Sequence, residues 1–396
     1  FDERNFYNRR WASHPPTLCP WRVVSEKDDQ RIVLVRNPYY YKVDAEGQQL
    51  PYLDAIIDER AKKKEIRQLK LRSGQINFQS EDLEFGDFAA LKENERNGNY
   101  EVRIWPYDFV GHVTFFICQQ NADPEYRPIF GDPRFHQALS LALNRQEMID
   151  IVWNGVGTPA QFAVPKGSKY YSDTLFHAFT DYDPERAGRL LDEMGLDKRN
   201  SEGVRLLPSG RPFYLEVSFE EQSPLAAVQL ATGYWRDIGI NAQMKQRSGK
   251  IKWRLYQTGQ WDVWVWREGG NFFGPLDGGT IAPEHPASSV HISEWARWLR
   301  SGGRQGEEPP ERIKDLDFLW NQVLTAPNEQ EKMARWQELL DRTAVELPVL
   351  GVTTSPGQMV LVRNDFKNVP RLALAGWIAH DPGNVNPEVF YVERRR

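Results

Sequence analysis

Cysteine is nearly absent from this chain. Of 396 residues only Cys19 and Cys118 are cysteines, so no disulfide framework staples the fold. One bridge between them stays open for an oxidising compartment. No apolar run approaches the roughly 18 residues that a membrane span needs. There is no excess of positive charge: 50 Lys and Arg stand against 55 Asp and Glu, a net charge of −5, which argues against nucleic acid as a partner. Familiar catalytic signatures are missing as well. The sequence holds no His-Glu-x-x-His for a zinc helix, no Cys-x-x-Cys and no Gly-x-Ser-x-Gly nucleophile turn. The Gly-rich stretch 301–310 follows no strand and carries no Lys, so it is read as a loop and not as a phosphate cradle. The seven histidines are scattered, and the one close pair, His285 and His291, reads as a solvated loop. With 55 acidic residues many carboxylate pairs are conceivable, yet no spacing singles out a glycosidase acid and base. No catalytic residue, no metal and no cofactor are expected.

What is present describes a folded protein with room for two domains: 40% of residues are apolar and 27% charged. The chain begins at Phe1, with no charged and apolar leader before it. A removed signal peptide and a truncated chain both remain open on that ground. Aromatic residues are plentiful, with 14 Trp, 15 Tyr and 20 Phe. Such rings fill cores, and they also line clefts where flat ligands stack.

Residues 131–150 predict two helices in series. Asp132 is placed to cap a helix with Pro133 at its first position, and Asn144 caps again before Arg145. Phe135, Ala138, Leu139, Ala142 and Leu143 form one apolar stripe. Arg31–Arg36, Tyr100–Trp105 and Val113–Ile117 read as strands, the first ending in the turn Asn37-Pro38. Asp183-Pro184 caps a helix closed by Gly195, and Phe213–Val217 is a strand. Ser223-Pro224 is expected to cap a further helix that ends at Gly239, before a strand at 240–244. That strand–helix–strand order implies an α/β layer with a crossover. Helices follow at about 310–325 and 328–346. No solenoid repeat is visible.

Several of these segments resemble one family. Asp132, Arg134, Ala138, Ala142 and Arg145 match the helix pair "D-x-R-v-R-x-A-l-x-x-A-i-D-R" of the extracellular solute-binding proteins of ABC importers, the oligopeptide, dipeptide and nickel group. His136 stands where the second Arg is usual, and Asn144 replaces the Asp. Arg36-Asn37-Pro38, Leu50-Pro51-Tyr52-Leu53-Asp54, Ser73-Gly74 and the run from Tyr182 to Gly195 resemble further motifs of that family. The resemblance implies an α/β, periplasmic-binding-protein-like fold of type II, large cluster, with two lobes joined by hinge strands. It places a first lobe at 1–106 plus 354–396 and a second α/β lobe at 107–353, with Leu347–Val352 as the returning hinge strand. Pro15–Val23 resembles a strand well inside such proteins, so the first lobe is expected to be incomplete at its N-terminal side.

By the same resemblance the function is substrate binding for an ABC importer: capture of an oligosaccharide or oligopeptide between the lobes and delivery to a membrane permease. A monomer is expected, periplasmic or extracellular and membrane-tethered, with no nucleic acid as partner. The rival readings are a secreted carbohydrate hydrolase and a non-transport receptor on the same scaffold. The candidate site is the stretch from Trp261 to Phe273. Its first half alternates as a strand that puts Trp264 and Trp266 on one face. Its second half is a loop at the strand's C-terminal end, where α/β sheets bind ligands. Trp264, Trp266, Glu268, Gly269, Gly270, Asn271 and Phe272 are the expected ligand-binding residues, although the tryptophans equally suit a packed strand. Peptide-binding members carry an Asp in this loop that pairs with the ligand's α-ammonium. Alignment on Asp262 and Pro275 puts Asn271 there, which offers an amide but no countercharge. Asn271 with nearby indoles suits a neutral, hydroxyl-rich solute, while Glu268 is a rival countercharge that keeps a peptide in play.

Overall fold

The computed structural model describes residues 17–393 apart from 29–30, 60, 62, 82, 84, 221–222, 268 and 277. Two compact units divide the chain. One runs up to Tyr107 and resumes at Gly357; the other is Asp108–Pro356.

The first unit opens with β1 (Trp21–Asp28), β2 (Arg31–Arg36) and β3 (Ala55–Glu59), an antiparallel meander with Trp21 opposite Arg36 and Leu34 opposite Ile56. The start of the expected first strand, Pro15 and Pro16, lies outside the described residues. Then come α1 (Lys64–Arg72), β4 (Phe78–Gln79), α2 (Phe88–Gly98) and β5 (Tyr100–Trp105). Asn99 takes the left-handed φ of 52° that lets α2 stop and turn directly into β5.

The second unit begins with β6 (Thr114–Ile117), α3 (Tyr126–Phe130), α4 (Pro133–Leu141) and α5 (Arg145–Trp153). The caps act as the sequence predicts. Asp132 accepts from the Arg134 N–H at 2.9 Å and Asn144 from the Glu147 N–H at 3.2 Å. After α6 (Asp173–His177) and α7 (Pro184–Glu193) the chain forms β7 (Tyr214–Phe219), α8 (Leu225–Asp237) and β8 (Asn241–Gln246). Asp183 caps α7 through Arg186 N at 2.8 Å. Ser223 does not cap α8, however: its hydroxyl accepts from the Glu220 N–H, and α8 starts behind Pro224 without a side-chain cap. Next follow α9 (Gly249–Thr258), β9 (Val263–Trp266), α10 (Ser293–Ser301), α11 (Glu311–Leu324), α12 (Glu329–Glu346) and β10 (Val349–Gly351).

One five-stranded sheet, in the order β10-β6-β9-β7-β8, organises this unit. β7 is parallel to β8 and β9, whereas β6 runs antiparallel to β9 and β10. Both faces are covered, so β6 and most of β9 are buried along their length instead of alternating. The segment expected as a returning hinge strand is β10, an edge of this sheet, and the chain leaves the unit only after Pro356.

The chain returns to the first unit with β11 (Gln358–Arg363), β12 (Phe366–Lys367) and β13 (Tyr391–Val392). β11 lies between β4 and β5, with Leu361 opposite Val102. Its side chains alternate between two small cores: Val360 and Val362 pack with Trp105, Phe366 and Phe390, while Met359 and Leu361 pack with Leu71, Leu91 and Tyr100. Both cysteines are free thiols. Cys19 is exposed; Cys118 is buried in the second unit, and burial pushes its pKa up.

Candidate functional site

The parallel strands β7, β8 and β9 end together on one edge of the second unit's sheet, and the candidate stretch leaves from the end of β9. Trp264 and Trp266 share a strand face in sequence, yet their surroundings differ. Trp264 is fully enclosed, its ring edge-on to Tyr256 at 5.4 Å, so it shows no face to a solute. It sits within the strand, where neighbouring residues of both faces are also buried. Trp266 is the last strand residue and only half-buried; its carbonyl accepts from the Thr114 hydroxyl at 3.0 Å.

The loop beyond it is fastened to its own unit. Gly270 N–H donates to Phe162 O at 2.7 Å, and Phe272 N–H to Asp108 O at 2.5 Å. The Phe272 carbonyl accepts from Ser168 Oγ at 2.6 Å. The glycine pair is explained by that fastening. A Cβ on Gly269 would lie 1.7 Å from the Val110 carbonyl oxygen, and one on Gly270 would lie 2.9 Å from the Val164 nitrogen. These glycines thus let backbone approach backbone, where the sequence suggested approach to a ligand. Asn271 is 3% exposed, and its amide is used within the loop: Nδ2 donates to Gly274 O at 3.1 Å while Oδ1 accepts from Phe273 N at 2.9 Å. Phe272 is half-buried and packs edge-on to Phe273. Glu268 lies outside the described residues.

Beside Trp266 stands a group that sequence reading missed. The Lys252 ammonium lies 3.6 Å from the centre of the Trp266 ring and 2.7 Å from Glu220 Oε1. Trp253, half exposed, flanks the same ammonium at 5.6 Å. Glu220 directly follows β7, so the cluster gathers residues from the ends of β7 and β9 and the first turn of α9. A signal existed in the sequence. Lys252 falls in the helical stripe completed by Leu255 and Tyr256, all three buried, and a Lys in such a stripe is expensive unless paired.

Elsewhere the structure offers less. Among the described residues no group of three His, Cys, Asp or Glu side chains could hold a metal. His285 is exposed, with Nδ1 accepting from Ala287 N, whereas His291 is buried; the pair does not form a ligand set. In the first unit a polar recess of about 380 Å³ is lined by Arg103, Arg363 and Lys367. These cations are already paired, with Glu101 at 2.8 Å, Asp365 at 2.5 Å and Glu393 at 3.1 Å.

The profile described as bacterial extracellular solute-binding proteins, family 5 Middle, matches residues 2–280. The chain belongs to that family, whose members are binding proteins, and its fold is that of the type II periplasmic binding proteins. Among its relatives is the periplasmic alpha-galactoside-binding protein of Rhizobium meliloti, 22% identical over 375 residues that cover 90% of this chain and 52% of that protein. The oligopeptide-binding protein OppA is 29% identical with a TM-score of 0.71, over 99% of this chain and 65% of that one. The periplasmic binding protein MelB of Agrobacterium fabrum C58, solved in complex with stachyose, has a TM-score of 0.80 at 19% identity, over 98% of this chain and 59% of its own. The chain therefore spans about half to two thirds of the length of these relatives. Among the described residues no helix is long and apolar enough to cross a membrane.

Proposed function

We propose that this chain is the solute-capturing component of an ABC importer, acting in the periplasm or outside the cell, and that its solute is a neutral oligosaccharide. It would bind the solute unchanged, with neither catalysis nor cofactor, and hand it to a membrane permease. The two passages of the chain between its units would act as hinges. One observation carries the preference for sugar. The wall at the end of β9 presents an indole, Trp266, and the charge beside it is closed on itself in the Lys252–Glu220 pair. Indole surface of this kind suits the apolar face of a pyranose ring. The alpha-galactoside-binding and stachyose-bound relatives support the same choice. Trp266 and Phe272 are assigned to the solute-facing wall, and Glu268 stays the countercharge of the peptide reading. Trp264, Gly269, Gly270 and Asn271 are assigned to holding it in place.

The second reading is an oligopeptide, favoured by the 29% identity to OppA. Calorimetry separates the two. The protein is titrated with stachyose, with β-linked oligosaccharides and with tri- to pentapeptides. Heat from an oligosaccharide, lost in Trp266→Ala, is the expected result. Heat from peptides alone, lost in Glu268→Gln, overturns the sugar reading and makes Glu268 the countercharge.

A further inference from the structure

We infer that Glu220, Trp266 and Trp253 form a receptor for a primary ammonium group, and that the chain fills it with its own Lys252, which bars cationic solutes from this wall. The statement about solutes rests on the reading of the 266–272 wall given above; the receptor itself does not.

A carboxylate beside indole faces is what recognises an ammonium. The carboxylate supplies a full opposite charge within ion-pair distance, and the rings supply their negative faces. All three distances fit: 2.7 Å from Nζ to Glu220 Oε1, 3.6 Å to the Trp266 centroid and 5.6 Å to that of Trp253. The site is also dry, with the Lys252 and Glu220 side chains only 8% and 11% exposed.

Helix formation does not explain the lysine. It lies in the first turn of α9, where the positive end of the helix dipole disfavours a cation. Its position belongs to a buried stripe in which an apolar side chain would pack without desolvating a charge. Glu220 has the sign that this helix end prefers. Its second carboxylate oxygen would lie 3.7 Å from a Cβ built on Gly249, the first residue of α9. The fold thus builds an anionic, aromatic-walled place at the start of α9, and Lys252 is the cation that neutralises it. A peptide's α-ammonium arriving at Trp266 finds the carboxylate already neutralised and an ammonium seated on the ring, whereas a sugar ring, carrying no charge, is not repelled by it.

The test is chemical rescue of Lys252→Ala. This variant should melt below the parent protein. n-Propylammonium should restore its melting temperature and isosteric n-propanol should not. Rescue should vanish in Glu220→Gln/Lys252→Ala. Lys252→Met fills the space of the side chain without a charge and should ignore the amine. No rescue, or equal rescue by the alcohol, overturns the receptor. If Lys252→Ala is recovered unfolded, refolding yield with and without the amine decides in the same way. The barring role is read by calorimetry with tripeptides, which should bind Lys252→Ala at least about tenfold more tightly than they bind the parent. Equal peptide affinity in both overturns the bar. Stachyose heat in the parent protein decides the sugar reading separately.

Discussion

Nδ1 of His136 lies 2.9 Å from the carbonyl oxygen of Leu347, while its Nε2 lies 2.7 Å from that of Phe130. A neutral imidazole has one N–H, so it can donate to only one of these carbonyls; the other nitrogen turns a lone pair toward an acceptor. The ring is fully buried. Burial pushes its pKa down to about 4, against the pull of both carbonyls, and Arg312 adds to the depression while Asp132 opposes it. His291 is held at about 3 by burial, with His136 adding to that depression. In the resembling family this position carries an Arg, a cation able to serve both carbonyls at once.

The consequence is a pH dependence of fixed sign. A histidine kept neutral in the folded state contributes stability that is complete above pH 6.5. That stability is lost as pH falls from 6.5 through about 4, in all about 3 kcal/mol for His136. His112, pushed to about 4 by burial and by Arg267, works in the same direction. Asp262, raised by burial to about 6, works against it: its contribution is complete below its unfolded pKa and is lost as pH rises through 6. Urea unfolding of His136→Gln from pH 7.5 to 4 should show a shallower loss than the parent. A ring that titrates above 6.5 by NMR would reverse the sign.

Arg145 is the counterpart of His136 on the next helix, a buried cation among carbonyls. Its guanidinium donates to Gly351 O at 2.9 Å, Ser140 O at 2.8 Å and Ser140 Oγ at 2.7 Å, tying α4 and α5 to the sheet edge at β10. Arg145→Met leaves those acceptors buried and unpaired, so it should cost at least about 3 kcal/mol. Arg145→Lys should recover little of that, because an ammonium cannot reproduce the planar fork. Chemical denaturation of both variants checks this; a loss under about 1 kcal/mol for Met would show that the network is dispensable.

The two tryptophans of β9 should separate stability from binding. Trp264 is enclosed, so Trp264→Ala should cost about 3–5 kcal/mol. Trp266→Ala should cost less stability and more solute affinity, at least about tenfold. Paired melting curves and titrations give the comparison. Comparable binding losses for both, scaled to unfolding, would show that neither ring faces solute.

Gly269→Ala should displace the loop, because its Cβ has no room beside the Val110 carbonyl. A stability loss of about 1–3 kcal/mol is expected, together with weakened solute binding. Gly86→Ala, where nothing lies within 4 Å of the added Cβ, is the control and should leave both unchanged. Full solute affinity in Gly269→Ala would separate this loop from the binding wall.

Local structure followed from local sequence. Asp132, Asn144 and Asp183 have the side chains that cap helices, and they cap where the pattern put them. The strands at 31–36, 100–105 and 214–219 follow from β-rich runs between turn residues. The family was legible as well, because its motifs are short, contiguous and dictated by packing at each turn.

What only the tertiary structure decided concerns which face of an element meets which neighbour. Alternation puts Trp264 and Trp266 on one side of a strand, yet it does not say that the sheet is covered to within one residue of the strand's end. The glycine pair promised a close approach, and the fold spends that approach on Val110 and Val164. Asn271, read as ligand-facing, closes its own turn. Lys252, Glu220 and Trp266 are separated in sequence and meet because β7 and β9 end where α9 begins. Backbone conformation is set by neighbours in the chain, so composition and pattern can specify it. The charge and shape of a site are set by side chains that only folding brings within a few ångströms.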